Sequence, residues 1–308
     1  MSALKLFVTV IHDYTNFTTV VLAVFVFLLL YKLFQKPSNL PPGPRPWPLV
    51  GNLLTLSHDS AHLQYVEWAR QYGDVFTLYY GPVPTVVING VHTIQETLFN
   101  KPDIFSDRPR FTDGKGIIFA YYGPFWKEQR IFTMSGLRDF GFGKRSLEGK
   151  ILEEAEALRK DIIKTEGRPF NIKNMLTKAV INVICSIIFG VRHSYEDSAF
   201  QTFLEDIEVR FSTPFLINQF SPVLRHLPVL GQSAQRFHLS QKRGEQFLKM
   251  KADEHQRDFD PSDIRDFVDI FIKEMRSGQK ENFTEAQLLC IINDLISAGT
   301  DTTSHSLY

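Results

Sequence analysis

The segment that most limits what this chain can become lies near its start. From Tyr14 to Tyr31, YTNFTTVVLAVFVFLLLY contains no charged residue, and Val20 to Leu30 is unbroken apolar sequence. Eighteen helical residues reach about 27 Å, close to the roughly 30 Å hydrocarbon core of a bilayer. A helix that is apolar on every side has no polar face to turn to water, so it belongs in lipid or in a core. Removal as a signal peptide is the rival reading. Against it, the basic flank (Lys32, Lys36, Arg45) follows the segment, and no small-x-small cleavage site comes after it. The positive-inside rule then puts those cations, and the chain beyond them, in the cytosol. The expectation is a single-pass anchor within residues 1–36.

Six prolines follow between Pro37 and Pro48, in KPSNLPPGPRPWPLVGN. Prolines at that density exclude helix interior and central strand, and they make a stiff extended connector. Residues 37–50 are therefore a hinge, and 51–308 form the body. In that body His62 to Gln71 reads as a helix. Asp74 to Tyr80 and Pro84 to Gly90 read as a hairpin turning near Gly81-Pro82. Val91 to Phe99 is a short helix and Phe105 to Phe119 a loop. Helices then dominate: from Pro124, then Ser146 to Lys164 with Ser146 as cap, Met175 to Phe189, Ala199 to Phe211, Ser233 to Asp258, Ile264 to Met275, and Thr284 onward. Thr284 and Gln287 open the last of these as a capping box would. The fold class is mainly α with a minor β region.

Charge excludes little except a nucleic-acid reading: 34 Lys and Arg balance 34 Asp and Glu. Cys185 and Cys290 are the only cysteines, too few for a disulfide scaffold and without zinc spacing, which fits a reducing compartment.

Four local patterns carry possible chemistry. Trp126 and Arg130 stand four apart and share a helical face, either as a cation–π pair or as two donors to one anion such as a carboxylate. Arg108, held extended by Pro109, is a loop arginine able to join them. DFGFGKRSLEGK places two glycines near Lys144 and Arg145, which suits a helix break better than a phosphate loop. In LISAGTDTTSHSLY, Gly299 costs a helix about 1 kcal/mol, Thr302 can bond back to the Ala298 carbonyl, and Asp301 needs a partner if buried. Together they suit a helix that opens a notch for a small ligand and delivers a proton there.

Taken in order, the hinge PPGPRPWPLVGN, YGDVFTLYYGPVPTVVING, FSDRP, WKEQR, LRDFGFGKRSLE and AGTDTT resemble the microsomal cytochrome P-450 monooxygenases, most closely their family 2. The resemblance runs from anchor to last residue. It implies the fold of that family and haem b as cofactor. Arg108, Trp126 and Arg130 would bind the haem propionates, with Ala298 and Gly299 over the haem face. Asp301 and Thr302 would be the acid–alcohol pair guiding protons to bound oxygen. Phe119, Phe211, Phe215, Asn293 and Ile296 would meet a lipophilic substrate: a xenobiotic, fatty acid or steroid. It further implies NADPH-cytochrome P-450 reductase and cytochrome b5 as partners, the endoplasmic reticulum membrane as location, and Lys127, Arg138, Lys144 and Arg145 as a reductase-docking patch.

The departure from the family is a missing thiolate. The Phe-x-x-Gly-x-x-x-Cys-x-Gly loop and Glu-x-x-Arg helix are absent, and both cysteines lie in apolar helices, so no metal ligand is assigned. The expectation is a fragment ending within the central oxygen-activating helix, with no stable hold on haem. The alternative is a genuine short, haem-free, anchored product acting as a binding or decoy protein.

Overall fold

The computed structural model describes residues 17–34, 39–47, 50–57, 60–109, 113–213 and 231–308. They fall into two units, 1–105 and 106–308.

In the first unit, helix α1 spans Phe17–Phe34. Its described side chains are exposed, among them Leu22, Phe25, Phe27 and Leu28. Tyr14 to Asn16 of the expected anchor lie outside the described residues. Among the described residues no helix is long and apolar enough to cross a membrane.

Helix α2 (Ala61–Tyr72) precedes strands β1 (Val75–Tyr80) and β2 (Val83–Ile88), which pair antiparallel with Tyr80 opposite Val83. The two-residue connection over Gly81, at φ 59°, is what a tight hairpin requires. The proline-rich stretch is tied to β1. Thr77 N–H donates to the Pro42 carbonyl at 2.9 Å, and a Cβ on Gly43 would stand 2.0 Å from Thr77 O. Asn52 continues the edge, its N–H donating to Tyr79 O at 2.7 Å and its Oδ1 accepting from Tyr79 N–H at 2.8 Å. Helix α3 (Val91–Ile94), a π-turn (Gln95–Phe99) and helix α4 (Pro102–Phe105) complete the unit.

The second unit is helical: α5 (Pro124–Asp139), α6 (Glu148–Ile163), α7 (Lys173–Ile188), α8 (Ser198–Ser212), α9 (Gly231–Arg257), α10 (Phe267–Ser277) and α11 (Glu285–Leu307). Helix α11 packs along α7, α8 along α9, and α6 along α7. Their apolar stripes meet in one core that includes Ile181, Phe203, Phe271, Leu288 and Ile292. Each fully buried side chain of that size contributes roughly 1.5–3 kcal/mol. Phe203 stacks on Phe247 with centroids 4.4 Å apart, and Phe132 meets Phe283 edge-on at 4.7 Å. Buried Glu154 ties α6 to α7 and the loop after it, accepting from Arg192 Nε at 2.6 Å, from the Tyr195 hydroxyl and from Asn182.

Helix starts follow capping chemistry. Asp197 accepts from Ala199 N–H at 2.9 Å at the head of α8, and Thr284 from Gln287 N–H at 3.2 Å at the head of α11. Two starts differ from the sequence expectation. Ser146 does not cap: it sits inside a 3₁₀ turn, Arg145–Leu147, and α6 begins after it. Helix α10 begins at Phe267 rather than Ile264 because Asp266 caps it, accepting from Asp269 N–H at 3.0 Å. The other oxygen of Asp266 meets His255 Nε2 at 2.8 Å, while His255 Nδ1 meets the Lys251 carbonyl at 2.9 Å. Both partners are acceptors, which favours a ring protonated on both nitrogens. Burial alone lowers its pKa. The Asp266 bond and charge, the Lys251 carbonyl and the charge of Asp269 outweigh that and raise it.

Candidate functional site

Gly123 and Pro124 start α5, with proline at the first helical position, where its missing N–H costs nothing. One turn of helix then puts Trp126 and Arg130 on one face, and the Arg130 guanidinium lies 5.2 Å from the Trp126 ring. These two, Arg108, Tyr122, Ile117 and Ile118 line a cavity of about 460 Å³. The structure thus brings the three expected anion donors to one wall. The Trp126 indole N–H is already engaged, donating to the Ile117 carbonyl at 3.0 Å. Of the two readings open for the Trp126–Arg130 pair, the cation–π contact is the one present in this structure.

The loop behind that wall is held from α11. Asp294 Oδ2 accepts the N–H of Ile117 at 2.6 Å and of Ile118 at 3.0 Å. Two turns earlier, Gln287 accepts from Gly116 N–H at 3.0 Å and donates to Gly116 O at 3.2 Å. Its side chain therefore points into the core and does not close a capping box with Thr284. Gly116 has φ 81°, and a Cβ there would meet Asp294 Oδ2 at 2.4 Å, so the position needs glycine for both backbone and space. Burial raises the Asp294 pKa, and the two N–H bonds pull the other way without overcoming it. Sequence reading passed over Asp294. Its signal was a carboxylate seven residues from Gln287, on the same face of the helix and flanked by apolar Ile291, Ile292 and Leu295.

Helix α11 runs unbroken as α-helix past Gly299, so no notch interrupts it. A Cβ on Gly299 would stand 2.8 Å from Ile184 Cδ1, so close packing on α7 is one reason for glycine there. Thr302 Oγ1 donates back to Ala298 O at 2.8 Å, and both residues are exposed on one face. Asp301 is half-exposed and pairs with His305 at 3.0 Å. The expected substrate residues are not gathered in one place. Phe211 lines a cavity of about 320 Å³ with Thr300 and Leu204. Asn293 accepts from Arg210 at 2.8 Å, Ile296 is buried in the core, and Phe119 is half-buried in the loop. Phe215 lies outside the described residues.

Neither thiol is placed to become a thiolate. Cys185 is wholly buried, and burial pushes its pKa up to about 12. Cys290 is half-buried, and burial, with Asp294 nearby, raises it as well. Among the described residues the one grouping with metal-ligand composition is His255, Asp266 and Asp269. Both nitrogens of its imidazole are committed, and Asp269 is held by Arg265 through bonds of 2.7 and 3.0 Å.

A profile of the cytochrome P450 family matches residues 41–308.

The chain belongs to the cytochrome P450 family.

It is 36% identical to cytochrome P450 2J2 of Homo sapiens over 305 residues, which is 94% of this chain and 60% of that protein. Cytochrome P450 2C39 of Mus musculus and cytochrome P450 2G1 of Oryctolagus cuniculus are each 35% identical, over 96% of this chain and 62% of theirs. The chain thus spans about three-fifths of the length of these relatives, all of family 2, as the sequence motifs indicated. The cytochrome P450 family is one of haem monooxygenases, and its cofactor is haem b, iron protoporphyrin IX. The two guanidinia beside an apolar, aromatic wall have the donor chemistry that the propionate edge of a haem needs. Both cysteines of this P450 chain are free, Cys185 buried and Cys290 half-buried.

Proposed function

We infer that this P450 acts in a haem-dependent monooxygenase that inserts one atom of dioxygen into a small lipophilic substrate. The observation that carries the reading is the convergence of Arg108, Trp126 and Arg130 on one cavity whose wall is pinned to α11. Arg108 and Arg130 would hold the carboxylates of the haem, with Trp126 as the packed face beneath Arg130. Haem, when bound, supplies the oxygen-activating chemistry, with its thiolate coming from outside these 308 residues. Ala298 and Gly299 would lie against it. Thr302 keeps lone pairs on Oγ1 while donating to Ala298 O, so it can accept a proton there and pass one on. Asp301, one residue away and with the His305 ring at 3.0 Å, would be the group that resupplies it. Phe119, Phe211, Phe215 and Asn293 would meet the substrate, with Ile296 as packing behind them.

The setting follows from the same reading. Exposed apolar side chains along α1 support an N-terminal membrane anchor in residues 1–36, with 37–50 as hinge and the rest as part of the catalytic domain on the cytosolic side of the endoplasmic reticulum. NADPH-cytochrome P450 reductase and cytochrome b5 would be the electron donors, docked on Lys127, Arg138, Lys144 and Arg145.

The test is reconstitution of the complete polypeptide with that reductase in lipid. It should consume NADPH and dioxygen with substrate-dependent product, and Thr302→Ala should consume both while forming less product. A haem-loaded protein with no oxygenated product from any lipophilic substrate would reject the reading; unchanged coupling in Thr302→Ala would remove that residue from its role.

A further inference from the structure

One turn past Asp301, on the same face of α11, stands His305. Its Nδ1 lies 3.0 Å from Asp301 Oδ1 and 2.9 Å from the Asp301 carbonyl oxygen. Both neighbours are acceptors, so the nitrogen between them has to carry a proton: a neutral ring here is the Nδ1–H tautomer. Among the described residues no partner engages Nε2. The side chain keeps 53% of its surface exposed, so the ring is open to water.

The plainest account is an exposed ion pair one turn apart, which contributes little to stability. The surroundings argue for more. The hydroxyl groups nearby are spent on the backbone: Ser304 Oγ donates to Asp301 O at 3.3 Å and Ser306 Oγ to Thr302 O at 2.8 Å. The imidazole is left as the ionisable side chain bonded to the Asp301 carboxylate among the described residues. Hydronium is scarce near neutral pH. A carboxylate that must be recharged at every turnover therefore gains from a neighbour that gives and takes a proton in that range, and imidazole is the side chain that ordinarily does so.

We propose that His305 is a proton relay, taking a proton from water at Nε2 and passing the one on Nδ1 to Asp301 Oδ1. In that step the Nδ1–H bond breaks, an O–H bond forms on the carboxylate, and an N–H bond forms at Nε2. The ring begins and ends neutral. Proton exchange with water, which its exposure allows, restores the Nδ1–H form. The inference rests on the monooxygenase reading, in which Asp301 supplies Thr302, and adds what supplies Asp301. His305 is thus a positioning residue that acts through Asp301.

The first measurement needs no turnover. Nitrogen NMR spectra of the full chain, with the His305 signals identified by their loss in His305→Asn, should show the neutral ring protonated on Nδ1. A neutral ring protonated on Nε2 overturns the proposal. The second uses the complete enzyme with its reductase in lipid. His305→Asn keeps an N–H where Nδ1 stood, and so keeps the bond to Asp301, but it has no second nitrogen through which a proton can pass. Product formed per NADPH consumed should fall about tenfold in His305→Asn and equally in His305→Ala. Coupling kept by asparagine and lost with alanine would show that the bond matters and the relay does not. Unchanged coupling in both variants would equally overturn the proposal, with the monooxygenase reading intact. A wild-type enzyme that forms no oxygenated product would instead defeat that reading, and the relay with it.

Discussion

Asp294 Oδ2 accepts the backbone N–H of Ile117 at 2.6 Å, joining α11 to a loop 177 positions away in sequence. The same oxygen takes the N–H of Ile118. Asp294→Ala removes the acceptor from two partly buried donors and should cost about 1–3 kcal/mol, read by urea unfolding. Asp294→Asn keeps an acceptor and should cost less. Because burial raises the Asp294 pKa, this group's contribution to stability is greatest below the unfolded carboxylate value and is lost as pH rises through the folded one. The Asn variant carries no such loss, so its deficit should shrink with rising pH. A deficit that grows instead would contradict the stated direction.

Trp126→Phe keeps a ring under Arg130 but leaves the Ile117 carbonyl without its indole donor. The expected loss is about 0.5–1.5 kcal/mol. Trp47 and Trp68, both in the first unit, remain as fluorophores, so circular dichroism is the better probe of the second. No measurable change would show that the hydrogen bond contributes nothing to holding the loop.

His255 predicts a pH dependence of opposite chemistry and the same sign. Its folded pKa is raised by Asp266, the Lys251 carbonyl and Asp269 against the effect of burial. Its stabilising contribution is therefore complete below the unfolded value of about 6.5 and disappears as pH rises through the folded one. Thermal melts from about pH 6 to about pH 9, compared with His255→Gln, should show the wild-type advantage shrinking. A constant difference across that window would mean the ring is neutral.

Gly299→Ala separates two explanations of one residue. If glycine is there because α7 lies close, the added methyl meets Ile184 Cδ1 at 2.8 Å and the gain in helix propensity, about 1 kcal/mol, is largely cancelled. Ile184→Val removes that terminal methyl, so the double variant should recover the propensity gain relative to Ile184→Val alone. A single Gly299→Ala already stabilised by the full amount would mean that packing does not explain the glycine.

The sequence made the long helices legible because each carries an apolar stripe over many turns, and the hairpin because Gly81-Pro82 separates two β-rich runs. It placed the start of α10 three residues early, since what sets Phe267 as the first helical residue is the Asp266 cap, itself braced by His255 on another helix. It named Ser146 as a cap where the chain makes a 3₁₀ turn first. For the site, spacing put Trp126 and Arg130 on one face, as found. It could not show that the indole N–H is spent on Ile117, nor divide the labour on α11. There Asn293 turns to Arg210, Asp294 to the loop and Ile296 to the core, through partners scores of residues away.

The proline-rich stretch has a consequence for how molecules of this chain meet one another. An open hairpin edge invites a strand from a neighbour. Along β1 the outward amides of Thr77 and Tyr79 are already spoken for by Pro42 and Asn52. Along β2, Pro84 faces Tyr79 in register and has no N–H to offer. The β1 flank is thus a poor template for intermolecular sheet growth and Pro84 leaves a gap in the β2 flank, so clumping of this protein, where it occurs, should proceed through greasy side chains more than through its β-structure.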